Sequence, residues 1–351
     1  MNLFQQKAAS DPDAALAQLP IIDLGPYFSS EPGETGALDA LAAQMADACE
    51  RTGFFYIKNH GVPQTLIDET FAQSRRFHAL PLEQKQRLSL DGNNIGYMPM
   101  NASMQAHSTV HKATTPNQNE SFFITHDRPD DHPDVVKKTP LRGQNYWPDE
   151  ADIPGFRDGV KAYFAALNAL GQNLVQPFSV ALGMAADYLD DDFADENNAT
   201  LRMLHYPPTV VEGNDFGTAP HTDNSFMTIL ARMDVPGLAI RLQSGEWLAP
   251  PLIPGTFLVN IGNMIRRMSN DRFLSTPHGV IVDGEADRYS LAYFHSPNPY
   301  RMIQVVSACM DDDNPAKYEP RLYADLMHEF YAANYFHQKD HGTIEMKNRY
   351  D

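Results

Sequence analysis

Six short runs of β-forming residues follow one another between positions 201 and 295, and they constrain the fold more than any other feature of the chain. The runs cover residues 201–206, 226–232, 237–242, 256–261, 279–282 and 290–295. Turn-forming pairs separate them, among them Pro207-Pro208, Pro236-Gly237, Pro254-Gly255 and Asp283-Gly284. Short strands in series with such punctuation are the pattern of a β sandwich or jelly roll. The region before them has a helical period instead. Apolar residues recur at helical spacing over 37–51, 63–80, 81–88 and 156–182, the last ending at Gly183, and a shorter helical piece covers 185–193. Two strand signals interrupt this part, at 19–24 and at 54–57, the second stopped by Asn59-His60-Gly61. A final helix is predicted over 320–335.

The expected fold is therefore α+β: a double-stranded β-helix, or jelly-roll, core with flanking N-terminal helices, one long helix and a C-terminal helix. A single domain is expected over 1–351. It divides into a mainly helical part at 1–195, a catalytic core at 196–300 and a C-terminal helical extension at 301–351. Residues 92–150 stand apart, rich in Asn, Pro, Asp and His with few periodic runs. Long irregular segments inside a compact domain usually serve function, and this one is expected at a pocket mouth together with the last helix.

Composition narrows the function classes. The chain has 351 residues, 42% of them hydrophobic, enough for a sizeable core. The formal net charge of −18 comes without a basic stripe, which speaks against nucleic-acid binding. Two cysteines, Cys49 and Cys309, make neither a disulfide framework nor a thiolate metal site. The first nine residues carry no signal-peptide pattern and no run of 18 apolar residues exists, so a cytoplasmic protein off the membrane is expected. No obligate protein partner is evident.

Thirteen histidines make a His–x–Asp match cheap, and two occur. His132-Pro133-Asp134 sits in an acidic, Pro-rich stretch and reads as a solvated loop. His221-Thr222-Asp223 lies just before the apolar run 226–232. Side chains two apart on an extended segment point the same way, so one strand end can offer an imidazole and a carboxylate together. His278, 57 residues later, supplies a second imidazole from another strand. Two histidines and one carboxylate on one face suit iron(II) and leave open coordination positions. Ten residues further, Arg288 and Ser290 share a strand face. A guanidinium fork beside a hydroxyl is a clamp for a carboxylate, here that of a small acid chelating the metal.

With these residues in order, the chain resembles the iron(II)/2-oxoglutarate-dependent oxygenase superfamily, in its isopenicillin N synthase-like branch. The resemblance runs from Pro20 to about Pro299. Its carriers include Pro20-Ile21-Ile22-Asp23-Leu24, Gly53-Phe54-Phe55-Tyr56-Ile57, Asn119-Glu120-Ser121-Phe122, Leu201-Arg202-Met203-Leu204-His205-Tyr206-Pro207, Asn260-Ile261-Gly262 and Ser275-Thr276-Pro277-His278. It implies iron(II) on His221, Asp223 and His278, which are then the catalytic centre. It implies 2-oxoglutarate with its distal carboxylate on Arg288 and Ser290, and Tyr206 as a further hydroxyl nearby. With O2, decarboxylation to succinate would drive hydroxylation, desaturation or ring closure of a small molecule. Asn263 and Gly279 depart from the residues usual at those places, Asp and a basic residue, and Leu204 replaces a polar one. Two alternatives share the fold: an oxidase that does without 2-oxoglutarate and holds its substrate's own carboxylate on the Arg–x–Ser pair, and a non-catalytic binding protein.

Other conspicuous residues receive structural expectations. His205 alternates away from Tyr206. His60 is expected to make a turn hydrogen bond, and His107 and His111 to lie in a solvated loop. His295 reads as packing, and Phe226 and Phe294 each as packing or pocket lining. One of Arg266 and Arg267 is a candidate contact for an anionic substrate.

Overall fold

The computed structural model describes residues 12–31, 35–105, 110, 114–208, 216–282 and 286–337. Twelve strands build its core: β1 (Ile21–Asp23), β2 (Phe54–Lys58), β3 (Gly96–Met98), β4 (Glu120–Ile124), β5 (Asn198–Tyr206), β6 (Thr218–His221), β7 (Met227–Arg232), β8 (Leu238–Arg241), β9 (Trp247–Leu248), β10 (Thr256–Ile261), β11 (His278–Val280) and β12 (Arg288–Ser296). Eight form a large sheet in the order β1-β2-β10-β7-β12-β5-β4-β3, and four form a small one in the order β6-β11-β8-β9.

Register decides which residues face which layer. On β12 and β5, Arg288 pairs with Tyr206, Ser290 with Leu204 and Ala292 with Arg202. Their neighbours by one residue, Tyr289, Leu291 and Met203, point to the opposite face. One face of the large sheet meets the small sheet, where Phe54, Tyr56, Leu204, Leu258 and Ala292 pack against Leu238, Ile240, Leu248 and Val280. The other face carries Phe55, Ile57, Met203, Ile229, Val259 and Leu291 and packs on the helices. Both faces are covered, which is why these strands read as near-continuous apolar runs.

Helices Thr35–Arg51, Gln64–His78 and Phe156–Asn173 form the covering layer, with Tyr323–Asn334 following the barrel. The long helix expected over 156–182 is two helices, Phe156–Asn173 and Val175–Ala181. Pro177 explains the break: it lacks an N–H for the Asn173 carbonyl and its ring crowds that oxygen. The Tyr27 hydroxyl donates to the Asn173 carbonyl instead, at 3.3 Å. The irregular segment 92–150 contains two strands of the large sheet, β3 and β4, which the composition concealed. Only Asp190–Phe193 is α-helical in 185–193, and Asn263–Met268 is a helix not expected. Among the described residues no helix is long and apolar enough to cross a membrane.

Candidate active site

Strand β6 ends at His221, which lies opposite His278, the first residue of β11. Asp223 follows two residues beyond. Its backbone is fixed by Asn263, whose N–H donates to the Asp223 carbonyl at 2.7 Å. Gly262 permits this approach, since a Cβ there would lie 2.0 Å from the Ser225 carbonyl oxygen. The three side chains offer ligand atoms that all lie within 4.8 Å of one another. Asp223 Oδ1 is 3.5 Å from His221 Nε2 and 3.7 Å from His278 Nε2.

The outward atoms are held. His221 Nδ1 donates to the Ala219 carbonyl at 2.9 Å and His278 Nδ1 to the Thr276 carbonyl at 3.1 Å. A carbonyl only accepts, so in the neutral imidazole it is Nδ1 that carries the proton, which leaves the Nε2 lone pair facing its neighbours. Asp223 Oδ2 accepts from Thr228 Oγ1 at 2.6 Å and from Asn260 Nδ2 at 2.8 Å. Burial opposes ionisation of Asp223, but His278, His221 and Asn260 outweigh it and hold the carboxyl below the usual carboxylate range. Burial pushes His278 down to about 4 against the pull of Asp223. One carboxylate and a neutral imidazole are the protonation states that bind a divalent metal.

A cavity extends from these ligands between the two sheets. Arg288 and Ser290 line it from β12, Tyr206 and Leu204 from β5. Arg288 is 2% exposed, and its Nε and Nη1 have no hydrogen-bond partner among the described residues. Its guanidinium lies 4.8 Å from the Tyr206 ring centroid, and the Tyr206 hydroxyl meets Thr218 Oγ1 at 3.1 Å. Burial lowers the Arg288 pKa, with Tyr206 opposing, yet an arginine in a protein stays protonated. A buried cation with idle donors fits an anion placed in the cavity.

A second cavity is also lined by His221 and Asp223. Phe294 and Arg202 belong to the walls of both. Its lining includes Gln105 and Phe123 from the irregular segment, and Phe330, Tyr331 and Tyr335 from the C-terminal helix and the residue after it. The two are stitched together, with the Met104 N–H donating to the Asn334 carbonyl at 3.0 Å and the Phe336 N–H to the Ala102 carbonyl at 3.2 Å.

His205 does face away, and bonds Glu120 at 2.8 Å and Asp287 at 2.6 Å. His60 Nδ1 accepts from the Val62 N–H within its turn. His295 is buried on Phe193, and Phe226 packs between Phe178 and Phe193. His132 caps a short helix, Pro133–Val136, where a loop was expected. Arg266 pairs with Asp271, and Arg267 reaches the Glu319 carbonyl, so both are engaged outside the two cavities. His107 and His111 lie outside the described residues, as does the Asp283-Gly284 turn. No role was expected for Thr228, Asn260 or Arg202, although Asn260 and Arg202 lie in segments that carry the resemblance. Arg202 shares strand parity with Tyr206, and that parity alone would have placed it on the cavity face.

Family models match two stretches: "non-haem dioxygenase in morphine synthesis N-terminal" over residues 19–150, and "2OG-Fe(II) oxygenase superfamily" over residues 197–297. Among curated relatives, the 2-oxoglutarate-Fe(II) type oxidoreductase hxnY of Emericella nidulans is 31% identical, with 90% of each chain covered. The 2-oxoglutarate-dependent dioxygenase citB of Monascus ruber is 31% identical over 81% of this chain and 86% of its own. Among solved structures, a full-length Neurospora crassa protein in complex with alpha-KG superposes with a TM-score of 0.77 at 26% identity, covering 93% of this chain and 99% of that one. JOX2 in complex with 2OG, Fe and JA gives a TM-score of 0.71 at 28% identity, covering 92% and 88%. The jelly-roll fold, the His–Asp–His cluster and these matches together make the chain a member of the iron(II)/2-oxoglutarate-dependent oxygenase superfamily, an enzyme that uses iron(II), 2-oxoglutarate and O2 to oxidise a small molecule.

Proposed function

We propose that His221, Asp223 and His278 hold the iron(II), and that Arg288 and Ser290 hold the distal carboxylate of 2-oxoglutarate. When bound, the iron supplies oxidising chemistry driven by decarboxylation of the co-substrate. The protein's own residues prepare that chemistry. Ala219 and Thr276 carbonyls fix the imidazole tautomers, and Thr228 and Asn260 leave one carboxylate oxygen of Asp223 free. Tyr206 supports the Arg288 guanidinium from below. Apolar walls from Leu204, Leu230 and Val280 exclude water around the ion pair that Arg288 would make.

The observation that carries this reading is the match of geometry and need. Three ligand atoms converge with their outer partners already satisfied, and in the adjoining cavity a buried arginine lacks an anion. We also read the chain as one domain, with the 196–300 region as its catalytic core. A cytoplasmic setting is supported by two buried free cysteines, Cys49 and Cys309. The test is succinate formation and bound iron in His221→Ala, Asp223→Ala and His278→Ala. Each variant should keep its fold, bind less iron and make no succinate. Undiminished succinate from His221→Ala would remove it from the metal site.

A further inference from the structure

Resting on that reading of the site, we infer that the substrate is itself a small organic acid, and that Arg202 is the residue that recognises its carboxylate. Arg202 sits in the middle of β5 and is 8% exposed. Its Nε donates to Ser121 Oγ at 3.0 Å and its Nη2 to Asn119 Oδ1 at 3.0 Å. The guanidinium lies 4.8 Å from the Phe123 ring centroid. Every one of these partners is neutral. Among the described residues no carboxylate forms an ion pair with Arg202, and no hydrogen bond engages its Nη1. The buried Arg128 and Arg142, by contrast, are both answered by Glu196.

An arginine taken out of water without a counter-charge is costly unless an anion arrives. Its neutral neighbours orient the fork without discharging it, which is how a recognition site for a planar carboxylate is built. Position says which acid. Arg202 is on the wall that the two cavities share, beside His221 and Asp223. Arg288 already serves the far end of the co-substrate cavity. Among the residues lining the second cavity, Phe294, Tyr331 and Tyr335 offer faces for a ring-bearing body, with Asn198, Asn224 and Ser225 as polar neighbours. A molecule with its carboxylate on Arg202 and its body among these aromatics would lie against the metal ligands. The same carboxylate chemistry could come from the metal-side end of 2-oxoglutarate, so the test separates the two acids.

The enzyme and its Arg202→Gln and Arg202→Lys variants are loaded anaerobically with iron(II) and 2-oxoglutarate. Phenylacetate, cinnamate and decanoate are then titrated against their amides, and the visible band of the iron–2-oxoglutarate chelate is followed. At least one acid should perturb the wild-type band at a roughly tenfold or lower concentration than its amide. Arg202→Gln should lose that preference while its 2-oxoglutarate midpoint stays within about twofold, and Arg202→Lys should keep part of it. Equal responses to acids and amides, or no response to any acid, would overturn the inference. So would a 2-oxoglutarate midpoint raised about tenfold in Arg202→Gln, which would assign the arginine to the co-substrate. If the wild-type band never forms, it is the co-substrate reading that fails. Calorimetry of the same acid and amide pairs on the metal-free protein then decides Arg202 on its own, with retained acid preference supporting it and equal binding overturning it.

Discussion

The two faces of the large sheet handle buried charge in opposite ways. On the helix-covered face, Glu120 accepts from Lys85 Nζ and His205 Nδ1, both at 2.8 Å, and from the Tyr97 hydroxyl. His205 continues to Asp287 and stacks on Tyr289 with ring centroids 4.5 Å apart. Each of these charges is answered from within the chain. On the cavity face, one residue further along the same strands, Arg288 has two idle donors and Arg202 has no carboxylate. Burial is similar on both faces, so burial alone does not separate structure from function. What separates them is whether the chain supplies its own counter-ion. A closed network serves stability, and an open one waits for a ligand.

Four experiments sharpen that contrast. The largest effect is expected at the metal cluster: Asp223→Ala should abolish turnover and iron binding while circular dichroism stays close to wild type. Unchanged turnover would undo the assignment. Next comes Arg288→Ala, which should raise the 2-oxoglutarate requirement by about 100-fold, as loss of one partner from a buried charge pair usually does. Its melting temperature should change little or rise, because an unanswered cation leaves the interior. A co-substrate titration and a thermal melt read both.

Glu120→Gln should do the reverse. It leaves Lys85 without its counter-ion in the interior and should cost about 3 kcal/mol or more in denaturant unfolding, with the 2-oxoglutarate midpoint unchanged. The acid limb tests the same network. Burial would raise the Glu120 carboxyl, but His205, Lys85 and Tyr97 hold it down to about 2. A carboxyl depressed on folding contributes stability above its unfolded value, near 4.5, and loses it as pH falls towards about 2. Burial also pushes His78 down to about 3, so its contribution is present above about 6.5 and declines as pH falls towards that lower value. Unfolding followed from pH 7 to pH 2 should show a shallower acid decline in Glu120→Gln than in wild type. The smallest effect belongs to the other His–x–Asp sequence. His132→Ala removes a helix cap contact and should cost about 1 kcal/mol or less, with iron content and succinate yield unaltered.

The legible parts of the molecule share a cause. The runs after residue 201 are apolar and end in Pro or Gly pairs, so the barrel strands could be read directly, 256–261 to the residue. β4 could not, because Glu120 and Ser121 are polar residues buried on the two sheet faces and imitate loop composition. β6 was hidden by Pro220, which is tolerated because β6 is an edge strand of the small sheet. The split after Asn173 was readable from Pro177, although the helical period runs through it. At the site, His221, Asp223 and His278 stood out because the pair at 221 and 223 lies just before an apolar strand and is followed in order by His278 and the Arg288–Ser290 pair. Thr228 did not, since it belongs to no motif, and Asn260 stood only within a segment that carries the resemblance, with no role of its own. Arg202 was obscured by its apolar flanks, Leu201 and Met203, which belong to the other face of the strand.

The central claim is that the open charges of the cavity face belong to iron(II) and 2-oxoglutarate, and anaerobic titration of the metal-free protein tests it most directly. Iron(II) is added first, then 2-oxoglutarate, while the weak visible band of their chelate is recorded for wild type and Arg288→Ala. The account predicts a band that needs both additions and moves to higher 2-oxoglutarate concentration in the variant. Iron binding without a band, or a band indifferent to Arg288, would contradict it.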